Sequence, residues 1–212
     1  IIADGLGWVG DWYDLTGVSS NSVVDQLATW ATTESKAFAE EFEARYGLTP
    51  SPSAAGLSFD YASMWIHIAR QVCWDAGELN SETLADFIRN KLLTGQWSYM
   101  EGCMMREYKY SPESAPDPIV SPDHFSFLVI EYLDGEGTVI FPSEPAENAL
   151  PAGHQAPAGQ APPGDATRVF RLGVVGPFTG LNAPVGAEMR GAVEMAFEKV
   201  DYRVGPYKID LV

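Results

Sequence analysis

Two stretches of the chain carry residue types and spacings suited to chemistry. In "VVGPFTGLNAPVG" (174–186) an apolar strand pattern runs into a glycine-containing loop and then into the start of a helix. A helix start leaves backbone N–H groups without partners, and these attract an anion. The loop lacks the Lys-Ser/Thr ending of a phosphate-binding P-loop, and its glycines at 176, 180 and 186 do not fit G-x-G-x-x-G. The chemistry left is capture of a smaller anion such as a carboxylate. The second stretch, "GWVGDWYDL" (7–15), sets Asp11 and Asp14 among Trp8, Trp12 and Tyr13. The acidic pair suits ligand contact, and the same aromatic residues suit a buried loop; the spacing alone admits both.

Other reactive side chains form no recognisable constellation. His67 falls in a helical pattern, His124 beside a strand and His154 in a proline-rich run, so no pair has the spacing of metal ligands or a catalytic triad. Neither a metal site nor a cofactor is expected. The two cysteines, Cys73 and Cys103, lack C-x-x-C spacing. They admit two readings, a single disulfide formed in an oxidising compartment or two small apolar side chains.

Composition narrows the class. The chain has 212 residues, 46% hydrophobic and 20% charged, which is the make-up of a globular protein with one large or two small domains. Its 29 acidic against 13 basic residues leave a net charge of −16, which repels phosphate backbones, so nucleic acid is not expected as a partner. No apolar run is long enough to span a bilayer, and the first residues, "IIADGLGW", lack the pattern of a signal peptide.

Periodicity and punctuation then supply the elements that would position these residues. Residues 1–32 read as irregular loop rich in Gly, Ser and aromatic side chains. Three helices follow: 33–46 with Ala37, Phe38, Phe42 and Tyr46 on its apolar side and Gly47 as its stop; 59–74 with Tyr61, Met64, Trp65, Ile68 and Val72; and 81–93, capped by Ser81. Beyond Gly95 the composition turns to strands, in "MMREYKYS" and in a hairpin whose turn is Asp134-Gly135-Glu136-Gly137. Residues 142–166 hold repeated Pro, Ala and Gly with almost no bulky apolar group and read as a linker. After it come a strand, a loop, a helix opened by Pro184 and a second strand, "YKIDLV".

These residues carry a resemblance. "RVFRLGVVGPFTGLNAPVGAEMRGAVEMAFEKV" with "YKIDLV" resembles the N-terminal start of the type 1 periplasmic binding proteins, in the branched-chain amino acid-binding family of ABC transporter receptors. "ATTESKAFAEEFEARYGLTPSPSAAGLSFDYASMWIHIARQ" is similar to the late helical part of the same family. In the family the first segment precedes the second, so the chain reads as circularly permuted and as lacking the family's middle portion.

The resemblance implies an α/β fold of two three-layer αβα lobes joined by a hinge, present here in part and in permuted order. Residues 1–28 and 98–141 would then belong to the second lobe and 29–97 and 167–212 to the first, with crossovers near 28–32 and 96–99. It implies a binding function without catalysis: a periplasmic or extracellular receptor that closes on a small amino acid or an aromatic or aliphatic carboxylate and presents it to an ABC permease. A ligand-sensing domain of the same fold in a signalling protein is the alternative. A complementary polypeptide would supply the missing part. For the site, the resemblance points to Thr179, Gly180 and Val185 in the loop before the helix. It also points to the "DGLGW" turn, with Trp8 favoured over Asp4, beside Asp11 and Trp12.

Overall fold

The computed structural model describes residues 12–121, 123–125, 128–141 and 168–212. Trp8 and Asp11, together with the expected linker over 142–166, lie outside the described residues. The described chain is a mixed α/β protein in which helices accompany two small three-stranded sheets.

Local signals account for the helices. In α2 (Thr33–Tyr46) the Thr32 hydroxyl accepts from the Ser35 amide at 2.9 Å while the Ser35 hydroxyl accepts from the Thr32 amide at 3.0 Å, a reciprocal cap. Gly47, at φ 65°, ends it in the left-handed conformation open to glycine. Its buried side is Ser35, Phe38 and Phe42, whereas Ala37 faces solvent, contrary to the expected stripe. Helix α3 (Leu57–Ala76) runs longer than expected at both ends and is the central element: Phe59, Ala62, Met64, Ile66, Ile68, Ala69 and Val72 are all buried. The cap of α4 (Ser81–Phe87) is Asn80, not Ser81: its Oδ1 accepts from the amides of Glu82 and Thr83, each at 2.9 Å. A π-helical turn, Ile88–Leu92, continues it.

The expected loop over 1–32 contains ordered structure in its described part. A short helix α1 (Trp12–Thr16) leads into strand β1 (Val24–Leu27), which pairs antiparallel with β2 (Leu128–Leu133). The sequence "VDQL" lacks the alternation that marks a strand, so only its partner reveals it. Strands β2 and β3 (Glu136–Phe141) form the expected hairpin with a tighter turn. Asp134 and Gly135, at φ 48° and 95°, make the two-residue connection, and Glu136 and Gly137 already pair with β2. Asn21 holds that turn from outside, its Oδ1 accepting from the Asp134 amide at 3.0 Å. This sheet has its own small core of Val23, Ile130 and Tyr132, with Trp12 and Val139 packed against it.

The main core gathers α2, α3 and α5 (Ala183–Glu198) over a second sheet, in the order β4-β6-β5. Strand β4 (Arg168–Leu172) runs parallel to β6 (Tyr207–Leu211) with α5 between them in sequence, and the short β5 (Arg203–Val204) pairs antiparallel on the far side of β6. Gly191 admits the close approach of α2 to α5: a Cβ there would stand 3.1 Å from the rings of both Phe42 and Tyr46. Inside the interface the buried carboxylate of Glu188 accepts from the Ser51 amide at 2.7 Å.

The expected strand "MMREYKYS" is instead irregular, with one bridge between Tyr99 and Tyr108. At its start Asp60 of α3 takes the amide of Met104 at 2.8 Å, and that of Cys103 just before it at 2.7 Å, so these two amides cannot enter a ladder. Of the stretch 98–141, then, Tyr99, Cys103, Met104, Met105, Tyr108 and Phe125 pack into the main core, while Leu128–Phe141 belongs to the separate sheet.

The disulfide reading of Cys73 and Cys103 is overturned: both are free, buried thiols. Cys103 is fixed by Asp60, and Cys73 lies 13 positions beyond Asp60 on the same helix, about 20 Å along its axis at ~1.5 Å per residue, far beyond disulfide reach. The apolar reading describes them, and burial raises both thiols above the ordinary cysteine value.

Candidate ligand groove

The loop between β4 and α5 sits where the parallel strands end. Hydrogen bonds from the Val212 amide to the Leu172 carbonyl (3.0 Å) and from the Val174 amide to the Val212 carbonyl (2.8 Å) extend the pairing past both strands, so both carboxyl ends meet at one edge. In open α/β sheets this edge is where ligands bind. Gly180, at φ 82°, turns the loop back toward α5. Gly186 lets it pack on the first helical turn, because a Cβ there would meet the Pro177 carbonyl oxygen at 2.5 Å.

Against this loop lies a groove of about 700 Å³. Val174 and Phe178 line it from the loop, Arg190, Val193 and Glu194 from α5, and Tyr202 with Ile209, Leu211 and Val212 along β6. Strand β5 pairs with only Tyr207 and Lys208 of β6, and the Ile209 amide beyond them donates to the Tyr202 carbonyl at 2.8 Å, which places Tyr202 at the groove. Its floor is apolar and its rim carries both signs of charge: Arg190 donates to Glu194 at 2.9 Å, and Lys208, Asp201 and Asp210 stand at the border. Such a lining takes a small solute with an apolar body and charged ends.

The residues expected from the sequence divide. Thr179 and Gly180 are exposed on the loop beside Phe178, next to the groove. Val185 is only 5% exposed and packs at the helix start, and it does not line the groove. Trp12 packs in the other core, its ring 5.9 Å from that of Tyr132. Its Nε1–H is nevertheless buried without an acceptor among the described residues, and a buried donor left unpaired costs about 1–3 kcal/mol. Trp8 and Asp11 lie outside the described residues. The side chain that sequence reasoning passed over is Phe178, 41% exposed at the mouth of the groove; its signal was an aromatic residue flanked by glycines just after a strand.

Among the described residues no group of His, Cys, Asp and Glu side chains is arranged to hold a metal ion, and no helix is long and apolar enough to cross a membrane. No family model matches the chain, and neither curated proteins nor solved structures gave a match.

Proposed function

We propose that the chain is part of a two-lobed solute receptor of the type 1 periplasmic binding protein architecture, working outside the cytoplasm for an ABC importer. It binds a small amino acid or related carboxylate and performs no catalysis on it. The observation that carries this reading is the β4–α5–β6 unit, whose loop, with Phe178, Thr179 and Gly180, adjoins a mixed-charge groove where the parallel strands end. Hinge closure of a second lobe would bury a solute held there.

The need for a complementary polypeptide rests on the sheet. Parallel strands are ordinarily covered on both faces. Here Val169, Arg171 and Lys208 stand exposed on the face opposite the core, and β4 pairs with β6 alone among the described strands.

Native mass spectrometry of the intact protein, joined to calorimetry with a panel of amino acids and carboxylates, tests the proposal. A bound solute or a second, different polypeptide is the expected result, with Phe178→Ala weakening solute binding about tenfold through loss of buried aromatic contact. No binding to any member of the panel, or unchanged affinity in Phe178→Ala, would sink it.

A further inference from the structure

A smaller cavity of about 170 Å³ lies between α3, the irregular segment that begins near Tyr99 and the last turn of α5. Ser63, His67 and Arg70 line it from one stripe of α3, their spacing of four and three residues placing them on one helical face. Tyr99 and Glu101 border it from the irregular segment beyond the π-helical turn, and Lys199 from the end of α5.

The charges around this space are unbalanced toward the positive. Among the described residues Glu101 is the one carboxylate in the lining, and it stands 3.5 Å from His67 Nε2. Burial holds His67 below the ordinary imidazole value, opposed by Glu101 and reinforced by Arg70, so the ring is neutral at pH 7. Arg70 is half-buried and makes no hydrogen bond or ion pair with any described residue. The Lys199 ammonium lies 4.5 Å from the centre of the Phe59 ring and likewise has no carboxylate partner among the described residues. Burial also raises the Tyr99 phenol above its ordinary value, so it stays protonated, and its hydroxyl is hydrogen-bonded with that of Ser63 at the cavity wall. Two cations and a phenol therefore face a small space opposite one carboxylate, in a chain whose net charge is −16.

We propose that this cavity is a binding site for a small oxyanion, phosphate or a simple carboxylate, held between the Arg70 guanidinium and the Lys199 ammonium with the Ser63 and Tyr99 hydroxyls as further donors. Its volume is about six times the ~30 Å³ share of one liquid water, which admits an ion of a few heavy atoms. The site is separate from the groove beside Phe178 and does not depend on the receptor reading.

The test titrates the intact protein with sodium phosphate and, separately, sodium acetate at constant ionic strength, followed by calorimetry and by amide NMR shifts. Saturable one-to-one binding of at least one anion is expected. Arg70→Gln and Lys199→Gln should each weaken it about tenfold, the effect of losing one charged partner. Glu101→Gln, which removes the repelling carboxylate, should tighten it, and Phe178→Ala should leave it unchanged. Saturation by phosphate alone assigns a tetrahedral ion and by acetate alone a carboxylate, and either supports the site. Failure of both anions to saturate, or equal affinity in Arg70→Gln and Lys199→Gln variants whose circular dichroism matches the parent, overturns it.

Discussion

At the scale of the residue, Asp60 does most to shape the main core. It is fully buried, and its Oδ1 accepts from the Cys103 amide at 2.7 Å while Oδ2 accepts from the Met104 amide at 2.8 Å and the Tyr108 hydroxyl at 2.7 Å. Burial pushes its carboxyl upward, and the three donors pull it back. Gly102 is the neighbour that permits this approach, since a Cβ there would stand 2.6 Å from Oδ2. Asp60→Ala would leave two amides and a phenol without an acceptor in the interior, at about 1–3 kcal/mol for each. The expected loss is therefore about 3 kcal/mol or more in urea unfolding, and a loss below ~1 kcal/mol would show that water or a shifted loop replaces the carboxylate. The aspartates that stand out in the sequence, Asp11 and Asp14 among their tryptophans, are not this one, because nothing local to Asp60 announces the amides it binds 43 and 44 positions away.

Among the elements, the strand–loop–helix of 168–198 ties the loop beside the groove to α5 through Gly186, which is where the proposed receptor reading can be tested. The glycine sits inside α5, where Ala would ordinarily be favoured by about 1 kcal/mol. It also sits 2.5 Å, measured from an added Cβ, from the Pro177 carbonyl oxygen and 3.1 Å from Phe178 Cδ1. Gly186→Ala therefore sets a helix gain against a clash that pushes the loop off the helix. The expected outcome is retained helical circular dichroism with solute affinity down about tenfold, because the displaced part is the groove wall. Full affinity in calorimetry would show that the loop does not form that wall. The caps belong to this scale as well. Thr32 and Asn80 each close a reciprocal box, and Gly47 and Gly77 each end a helix at positive φ, so the starts of α2 and α4 and the ends of α2 and α3 follow from single residues.

For the whole molecule, charge sets the conditions of stability. With 29 acidic and 13 basic residues the folded chain repels itself, and the ion pairs available to it, such as Arg45 with Glu198 and Arg171 with Asp210, are exposed and weak. Added salt shortens the screening length from ~30 Å at 0.01 M to ~8 Å at 0.15 M. The thermal midpoint should therefore rise across that range, and a midpoint that falls or stays constant would mean that attractive pairs outweigh the net repulsion. The two cores add a second expectation at this scale: the sheet of β1, β2 and β3 buries only Val23, Ile130 and Tyr132 at its centre, so its amides should exchange with solvent faster than those of α3.

Legible from the amino-acid order alone are the parts whose causes lie within a few residues of one another. Helices α2, α3 and α5, the β2–β3 hairpin and the strand–loop–helix–strand order of 168–211 are all legible from apolar period, cap residues and glycine stops. Their limits moved by only a few positions, as when Asn80 took the cap expected of Ser81. Tertiary structure alone decided β1, which is a strand only because β2 pairs with it, and the irregular path of 99–110, where Asp60 holds the amides of Cys103 and Met104. It also decided that Val185 is buried, that Phe178 borders the groove, and that Arg70 and Lys199 share a cavity although 129 positions separate them. Periodicity and capping act over one or two helical turns, whereas a groove or a charged cavity is a meeting of surfaces from distant parts of the chain, and no local pattern records which surfaces will meet.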